Sequence, residues 1–318
     1  MNDENDWREV LGLRSPTEDR NPRTTGIDQL PATDVVNLVL SEDRGVVAAV
    51  EAAAGPLGRL VDRAVGALVE GGRIHYVGSG TSGRLAVLDA AELRPTYDVG
   101  EESVRAYLAG GPDAMVNSAE GAEDDDAAGH RLGRHFAPQD LVVGLTASGR
   151  TPFVAGALRA GHENGAATAL ISTNPDAPLA DDTDIAILLD TGPEVITGST
   201  RMRAATAQKI ALNTFSTAVM VRMGKTFSNL MIEVRATNKK LQARTVRMLV
   251  QATGQDAGRC AEVLTAAGGH VRTALVALMS GQTAEAAERA LADFPPDPAR
   301  IDDPAGVRTA VAALRSGG

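Results

Sequence analysis

Short apolar runs alternate along the chain with longer Ala-rich stretches of helical period. The runs are 73–77 (RIHYV), 104–108 (VRAYL), 141–145 (LVVGL), 168–171 (TALI) and 185–189 (IAILL). Their near-continuous hydrophobicity suits strands buried on both faces, and the helical stretches between them supply the crossovers of a parallel, doubly wound α/β sheet of five strands flanked by helices. The pattern predicts one α/β domain over 55–245. Residues 1–54 read as an irregular polar arm, with TEDRNPRTTGIDQLP, entering a helix over 41–69. Residues 246–318 read as a small module of three short helices at 256–266, 270–280 and 283–292, followed by a turn-rich tail with DFPPDP and IDDPAG.

Composition narrows this picture. A chain of 318 residues, 43% hydrophobic, buries a sizeable core. Only 3% of residues are aromatic, so close packing by Ala, Gly and Val is expected. The single Cys260 excludes an internal disulfide framework and reads as a small packed residue. The opening MNDENDWREV has neither the apolar core of a signal peptide nor a basic transit character, and no apolar run reaches the length of a membrane span. A cytoplasmic protein without a membrane partner is expected. The net charge of −10 and the absence of a basic block argue against nucleic acid, so an anionic ligand would need local positive charge. His75, His130, His135, His162 and His270 show no metal-ligand spacing, and no metal site is expected. Met220, Met223, Phe227 and Met231 fall at helical spacing and read as core or dimer contact rather than a cofactor pocket.

In an open α/β sheet, ligands bind beyond the carboxyl ends of the strands. Three of those ends carry hydroxyl residues, glycine and arginine together: Ser79, Gly80, Thr81, Ser82, Gly83 and Arg84 after the first run, Ser148, Gly149, Arg150 and Thr151 after the third, and Ser199 and Thr200 within Thr197-Gly198-Ser199-Thr200-Arg201 after the fifth. Gly78, Gly80 and Gly83 also fit the G-x-G-x-x-G spacing of a dinucleotide site. Such a site places an acidic residue at the end of the second strand, where this chain has Leu108-Ala109-Gly110-Gly111. The loops therefore suit a terminal phosphate monoester, whose oxygens hydroxyls and backbone N–H groups satisfy at a helix N-terminus.

The stretches GSGTSGRLAVLDAAELRPTY, EGAED, ASGRTPFV, GPEVITGSTRMRAATAQKIALN and NLMIEVRATNKKL, with TEDRNPRTTGIDQL ahead of them, resemble the N-acetylmuramic acid 6-phosphate etherases of the sugar isomerase (SIS) family. The resemblance covers nearly the whole chain apart from the final tail. It implies a SIS fold, a homodimer with active sites near the subunit interface, a ubiquitin-associated-like helical module at the C-terminus, and no metal or organic cofactor. The reaction it implies cleaves the D-lactyl ether at C3 of the sugar phosphate. Opening of the pyranose exposes a C1 aldehyde that acidifies the C2 proton, a base removes that proton, and an acid protonates the departing ether oxygen. Water then adds at C3.

Two carboxylates fit that chemistry. Glu92 falls four positions after Leu88 and seven after Leu85, which puts it on an apolar helix face. Burial there would suit it to carrying a proton. Glu123 lies in the acidic run EGAEDDD, where spacing does not separate it from Glu120; the resemblance selects it as the second catalytic glutamate. The division of acid and base between the two stays open. Around Glu92 the chain departs from the family pattern: Ala91 replaces a small polar residue, and Leu93-Arg94 replaces Cys-Pro. Two other readings use the same loops, a non-catalytic sugar-phosphate sensor and an aldose–ketose isomerase. Neither would release lactate.

Overall fold

The computed structural model describes residues 15–234 and 239–316. The opening MNDENDWREV and residues 235–238 of the NLMIEVRATNKKL run lie outside the described residues. Five parallel strands, β1 (Ile74–Gly78), β2 (Val104–Leu108), β3 (Leu141–Thr146), β4 (Ala167–Ser172) and β5 (Ile185–Leu188), form one sheet in the order β2-β1-β3-β4-β5. These are the five apolar runs of the sequence. β1 and β3 are buried along their whole length, as strands covered on both faces must be.

The stretch expected as one helix over 41–69 is three: α1 (Ala32–Asp43), α2 (Val46–Ala52) and α3 (Ala54–Val69). The first break falls at Arg44-Gly45, where glycine weakens helix propagation, and the chain enters α1 directly after Pro31. Beyond β1 come α4 (Gly80–Tyr97), α5 (Asp126–His130), α6 (Pro152–Glu163) and α7 (Arg203–Arg222). α6 buries Phe153, Val154, Ala157 and Leu158 against Val77, Val142 and Leu170 of the sheet. Side chains alternate along a strand, so Tyr76 points to the opposite face. There its ring meets Phe215 of α7 at 6.3 Å between centroids, and its hydroxyl donates to Asp89 of α4 at 3.3 Å.

The chain divides into two compact units. The first runs to Asp89 and includes Ser103–Phe215; the second comprises Ala90–Glu102 and the chain from Ser216 onward. In the second, α8 (Lys239–Thr253), α9 (Ala257–Ala266), α10 (Val271–Ser280), α11 (Ala284–Asp293) and α12 (Val307–Ser316) enclose a core that includes Leu249, Cys260, Leu275, Ala287 and Val307. The three expected short helices are α9, α10 and α11, and α8 and α12 pack with them. The tail is therefore more ordered than its turn-rich sequence suggests. Asp303 of IDDPAG accepts from the backbone N–H groups of Arg308 and Thr309 at 3.1 and 2.8 Å, which satisfies free donors in the first turn of α12.

The expected methionine stripe is not one helix. α7 stops at Arg222, Gly224 takes φ +71°, and Phe227 and Met231 lie in a small antiparallel ribbon, β6 (Thr226–Phe227) with β7 (Leu230–Met231). Both pack on the core of the second unit. Among the described residues, no helix is long and apolar enough to cross a membrane.

Candidate functional site

β1 is hydrogen-bonded to both β2 and β3, so the chain order reverses there and the sheet opens a crevice beyond its carboxyl edge. The loop leaving β1 is only Ser79 before α4 begins at Gly80. Two of its glycines serve packing. A Cβ at Gly83 would lie 2.5 Å from the Gly78 carbonyl oxygen and 2.5 Å from Leu108 Cδ1, and one at Gly78 would lie 2.8 Å from the Gly83 nitrogen. Their absence lets the first turn of α4 sit on the end of the strand, with its N–H groups at the sheet edge.

The hydroxyls of this loop divide into two kinds. Ser79 Oγ is shut off from solvent and has no hydrogen-bond partner among the described residues. Ser82 is 8% exposed, and its Oγ donates to Gln208 Oε1 on α7 at 2.7 Å. Ser82 is thus engaged within the fold, while Ser79 holds a free donor. Thr81 is half-buried and Gly80 is exposed.

A pocket of about 240 Å³ opens beside this loop, lined among others by Ser79, Gly80, Arg84, Ser118, Glu120 and Glu123. Glu123 is exposed on the short turn Ala122–Asp124. Both glutamates of the acidic run line the pocket, so its geometry does not separate them. Arg84 is occupied by backbone: its Nε donates to the carbonyls of Ala114 and Met115 at 3.0 and 3.1 Å, and its Nη2 to that of Asn117 at 3.0 Å.

The loop after β3 lies beside the first, because β1 and β3 are neighbours. Thr146 Oγ1 is 2.7 Å from Thr151 Oγ1 and 3.4 Å from Ser148 Oγ, and it accepts from Gly149 N–H at 3.2 Å. Gly149 takes φ +76°, and a Cβ there would come within 2.2 Å of Ala177 Cβ. Asn174 Nδ2 donates to the Ser148 carbonyl at 3.0 Å and pins the loop from β4. Arg150 is half-buried.

The third hydroxyl loop leaves β5, three strand spacings from β1 or roughly 14 Å across the sheet. It is held by the N-terminal arm: Gly198 N–H donates to the Thr17 carbonyl at 3.1 Å, and Thr24 Oγ1 to the Val195 carbonyl at 2.8 Å. Ser199 and Thr200 are half-buried within it. Glu194, fully buried, accepts from the backbone N–H groups of Arg203 and Ala204, each at 2.9 Å, and so caps α7. Burial pushes the Glu194 carboxyl above the usual carboxylate range, and those two donors pull against it. Arg203 is buried with it, donating to the Pro193 carbonyl at 2.8 Å and standing 3.6 Å from Glu42. Sequence reasoning missed Glu42, Glu194 and Gln208. Glu194 stands nine residues ahead of α7, outside the spacing of an ordinary N-cap, so no local signal announced any of the three.

Glu92 departs from expectation. It lies in the part of α4 that belongs to the second unit, and its side chain is exposed. Leu88 on the same face is 48% exposed and Leu85 half-buried, so the apolar face that was to bury Glu92 is itself open in the single chain. Ala91 and Arg94 beside it are exposed, while Leu93 is buried. The histidines are structural in character: His130 meets Glu163 at 2.8 Å, and buried His75 meets Asp140 at 2.9 Å, with burial pushing His75 below its usual range.

A parallel sheet of this order with a pocket at its switch point is a doubly wound α/β fold, and the matching profiles make it a SIS domain protein. The SIS domain profile matches residues 116–218, and that of the glucokinase regulatory protein N-terminal SIS domain matches residues 36–162. Among curated relatives, the chain is 52% identical over 268 residues to the N-acetylmuramic acid 6-phosphate etherase of Thermobifida fusca, covering 84% of this chain and 88% of that one. It is 50% identical to the etherase of Deinococcus radiodurans, over 86% of this chain and 90% of that one, and 45% identical to that of Serratia proteamaculans, over 86% and 93%. The chain belongs to the N-acetylmuramic acid 6-phosphate etherase family.

Proposed function

We propose that the chain is a carbon–oxygen lyase that cleaves the D-lactyl ether of N-acetylmuramic acid 6-phosphate, giving N-acetylglucosamine 6-phosphate and D-lactate in cytoplasmic recycling of cell-wall amino sugar. Family membership supports the reaction. The observation that carries it to these residues is the pocket that joins Ser79, at the head of α4, to Glu123. The free Ser79 hydroxyl, the first N–H groups of α4 around Gly80, Thr81, Ser82 and Gly83, and the loop of Ser148, Gly149, Arg150 and Thr151 receive the phosphate oxygens. Ser199 and Thr200 close the third side.

Glu123 takes the C2 proton of the opened sugar. The electron pair of that bond forms the C2–C3 double bond as the C3–O bond breaks, and Glu92 protonates the departing lactyl oxygen. Water adds at C3 of the unsaturated aldehyde, and a proton returns to C2. Incubation with N-acetylmuramic acid 6-phosphate is expected to release free D-lactate. A folded chain that bound the sugar phosphate and released none would be a sensor instead. Ser79→Ala is expected to weaken sugar-phosphate binding by about 1–3 kcal/mol, measured by calorimetry, with the melting temperature unchanged because no internal partner is lost. Equal affinity of the wild type for phosphorylated and unphosphorylated sugar would remove the phosphate reading.

The same proposal includes a homodimer. Val36 and Leu40, one turn apart on α1, are 56% and 58% exposed, and Leu88 adds an open apolar position on α4. A second copy would cover such surface, and paired identical faces are the commonest closed arrangement. The mass in solution is expected to be that of two chains, and Leu40→Glu is expected to yield monomer with reduced turnover. Full activity at monomer mass would refute this.

A further inference from the structure

Arg84 stands at the phosphate loop, where an arginine would ordinarily be taken as a ligand for the anion, yet all its hydrogen bonds run elsewhere. The turn Pro112–Met115 presents unpaired carbonyls at its C-terminal end, as helical turns do. Arg84 forks onto that end, with Nε between the Ala114 and Met115 oxygens and Nη2 on the Asn117 oxygen. The segment it grips has little else to hold it. Val116 is 85% exposed, residues 117–121 are all exposed, and Ala114 is the buried residue of the turn. Packing adds two further anchors, Ala122 against the Phe153 and Val154 cluster and three alanines over Gly110. A Cβ there would meet Ala119 Cβ at 2.5 Å, Ala114 Cβ at 3.2 Å and Ala122 Cβ at 3.5 Å, so three alanines of the segment nest on that glycine. Ala122 is the immediate neighbour of Glu123.

We infer that Arg84 is a positioning residue: by clamping three carbonyls of the 112–117 segment to the first turn of α4, it sets the place of Glu123 across the pocket from Ser79. The inference rests on the assignment of Glu123 as the base. A planar guanidinium can serve diverging carbonyls at once, whereas a lysine ammonium on a flexible stem does not reproduce that fork. Charge and geometry can therefore be tested separately.

The experiment compares Arg84→Lys and Arg84→Gln with wild type in three measurements. These are kcat and KM for lactate release, calorimetric affinity for N-acetylglucosamine 6-phosphate, and amide hydrogen exchange over 112–123. Displacing a catalytic group by about 1 Å costs on the order of 100-fold, so both variants are expected to lose about 10- to 100-fold in kcat. Affinity should stay within about 3-fold of wild type, and exchange should quicken across 112–123 while α6 stays protected. Loss of affinity in Arg84→Gln, restored by Arg84→Lys, would make Arg84 a phosphate ligand and overturn the inference. Unchanged exchange in both variants would overturn it as well. That arm reads the clamp without reference to turnover, so a wild-type chain that released no lactate would sink the lyase reading and leave the exchange result to decide the clamp.

Discussion

Glu92→Gln is expected to reduce D-lactate release by about 100-fold or more, the scale of a lost general acid, with sugar-phosphate affinity and melting temperature unchanged. The amide keeps the shape and reach of the carboxyl group but delivers no proton. Its exposure makes the test clean. The Glu92 side chain is open to solvent, and the structural bond at this residue belongs to its backbone, whose carbonyl accepts from Thr96 Oγ1 at 2.8 Å. Exposed substitutions of this kind change the stability of the single chain by about 0.5 kcal/mol or less, and the mass in solution, measured beside turnover, separates lost chemistry from lost pairing. Wild-type product formed in deuterated water should carry deuterium at C2, and Glu123→Gln should suppress exchange there. Near-normal turnover in folded Glu92→Gln would remove Glu92 from the mechanism. In the proposed dimer, the open face of Leu88 and Glu92 would be covered by the second copy, so Leu40→Glu monomers should share part of the Glu92→Gln defect.

The backbone plan was legible because its signals are periodic. Runs such as LVVGL and TALI are short, near-continuously apolar and contain β-branched residues, which favours strands between two helical layers. The helices at α9 to α11 announced themselves by apolar period and glycine turns. Site geometry was legible where chain neighbours make it, as at Ser79 and Gly80, where a strand end runs straight into a helix. It was not legible where a polar atom chooses among distant partners. Nothing in the sequence distinguishes Ser79 from Ser82, yet one hydroxyl is free and the other is taken by Gln208, 126 positions away. Arg84 has the same character, since its partners are carbonyls, which every residue carries. Periodicity also misled. Leu85, Leu88 and Glu92 do share a helix face, but a shared face does not establish that anything covers it, and in the single chain Leu88 stays open. IDDPAG hid its cap for a similar reason, because turn residues and capping residues are the same few types.

Glu42→Gln is expected to lower the stability of the first unit by about 1.5–3 kcal/mol, the scale of hydrogen bonds to a charged group, because Arg23, its main partner, is itself open to solvent. Glu42 accepts from Asn21 Nδ2 at 2.8 Å and from Arg23 Nε and Nη2 at 2.7 and 2.6 Å, and it stands 3.6 Å from buried Arg203. Hydrogen bonds from Arg23, above all, hold its carboxyl down at about 2. The unfolded chain takes up that proton near the ordinary value of about 4.3, so between these limits the unfolded state binds more protons than the folded one. The stabilisation is complete above about pH 4.5 and is lost as pH falls towards 2. Neutral glutamine keeps an acceptor for Asn21 but removes one of the two carboxylates that act on buried Arg203, leaving it with Glu194 and the Pro193 carbonyl. Calorimetry should show the transition of the first unit falling by several degrees at neutral pH, and the acid slope between about pH 4.5 and 2 should flatten, because the titrating group is gone. The effect should reach the site, since the same arm holds the 195–198 loop through Thr17 and Thr24, and Ser199 and Thr200 follow directly. Sugar-phosphate affinity in Glu42→Gln should therefore fall together with stability. A variant with wild-type melting and an unchanged acid profile would mean that the arm is held by packing alone and that the Glu42 cluster contributes nothing to it.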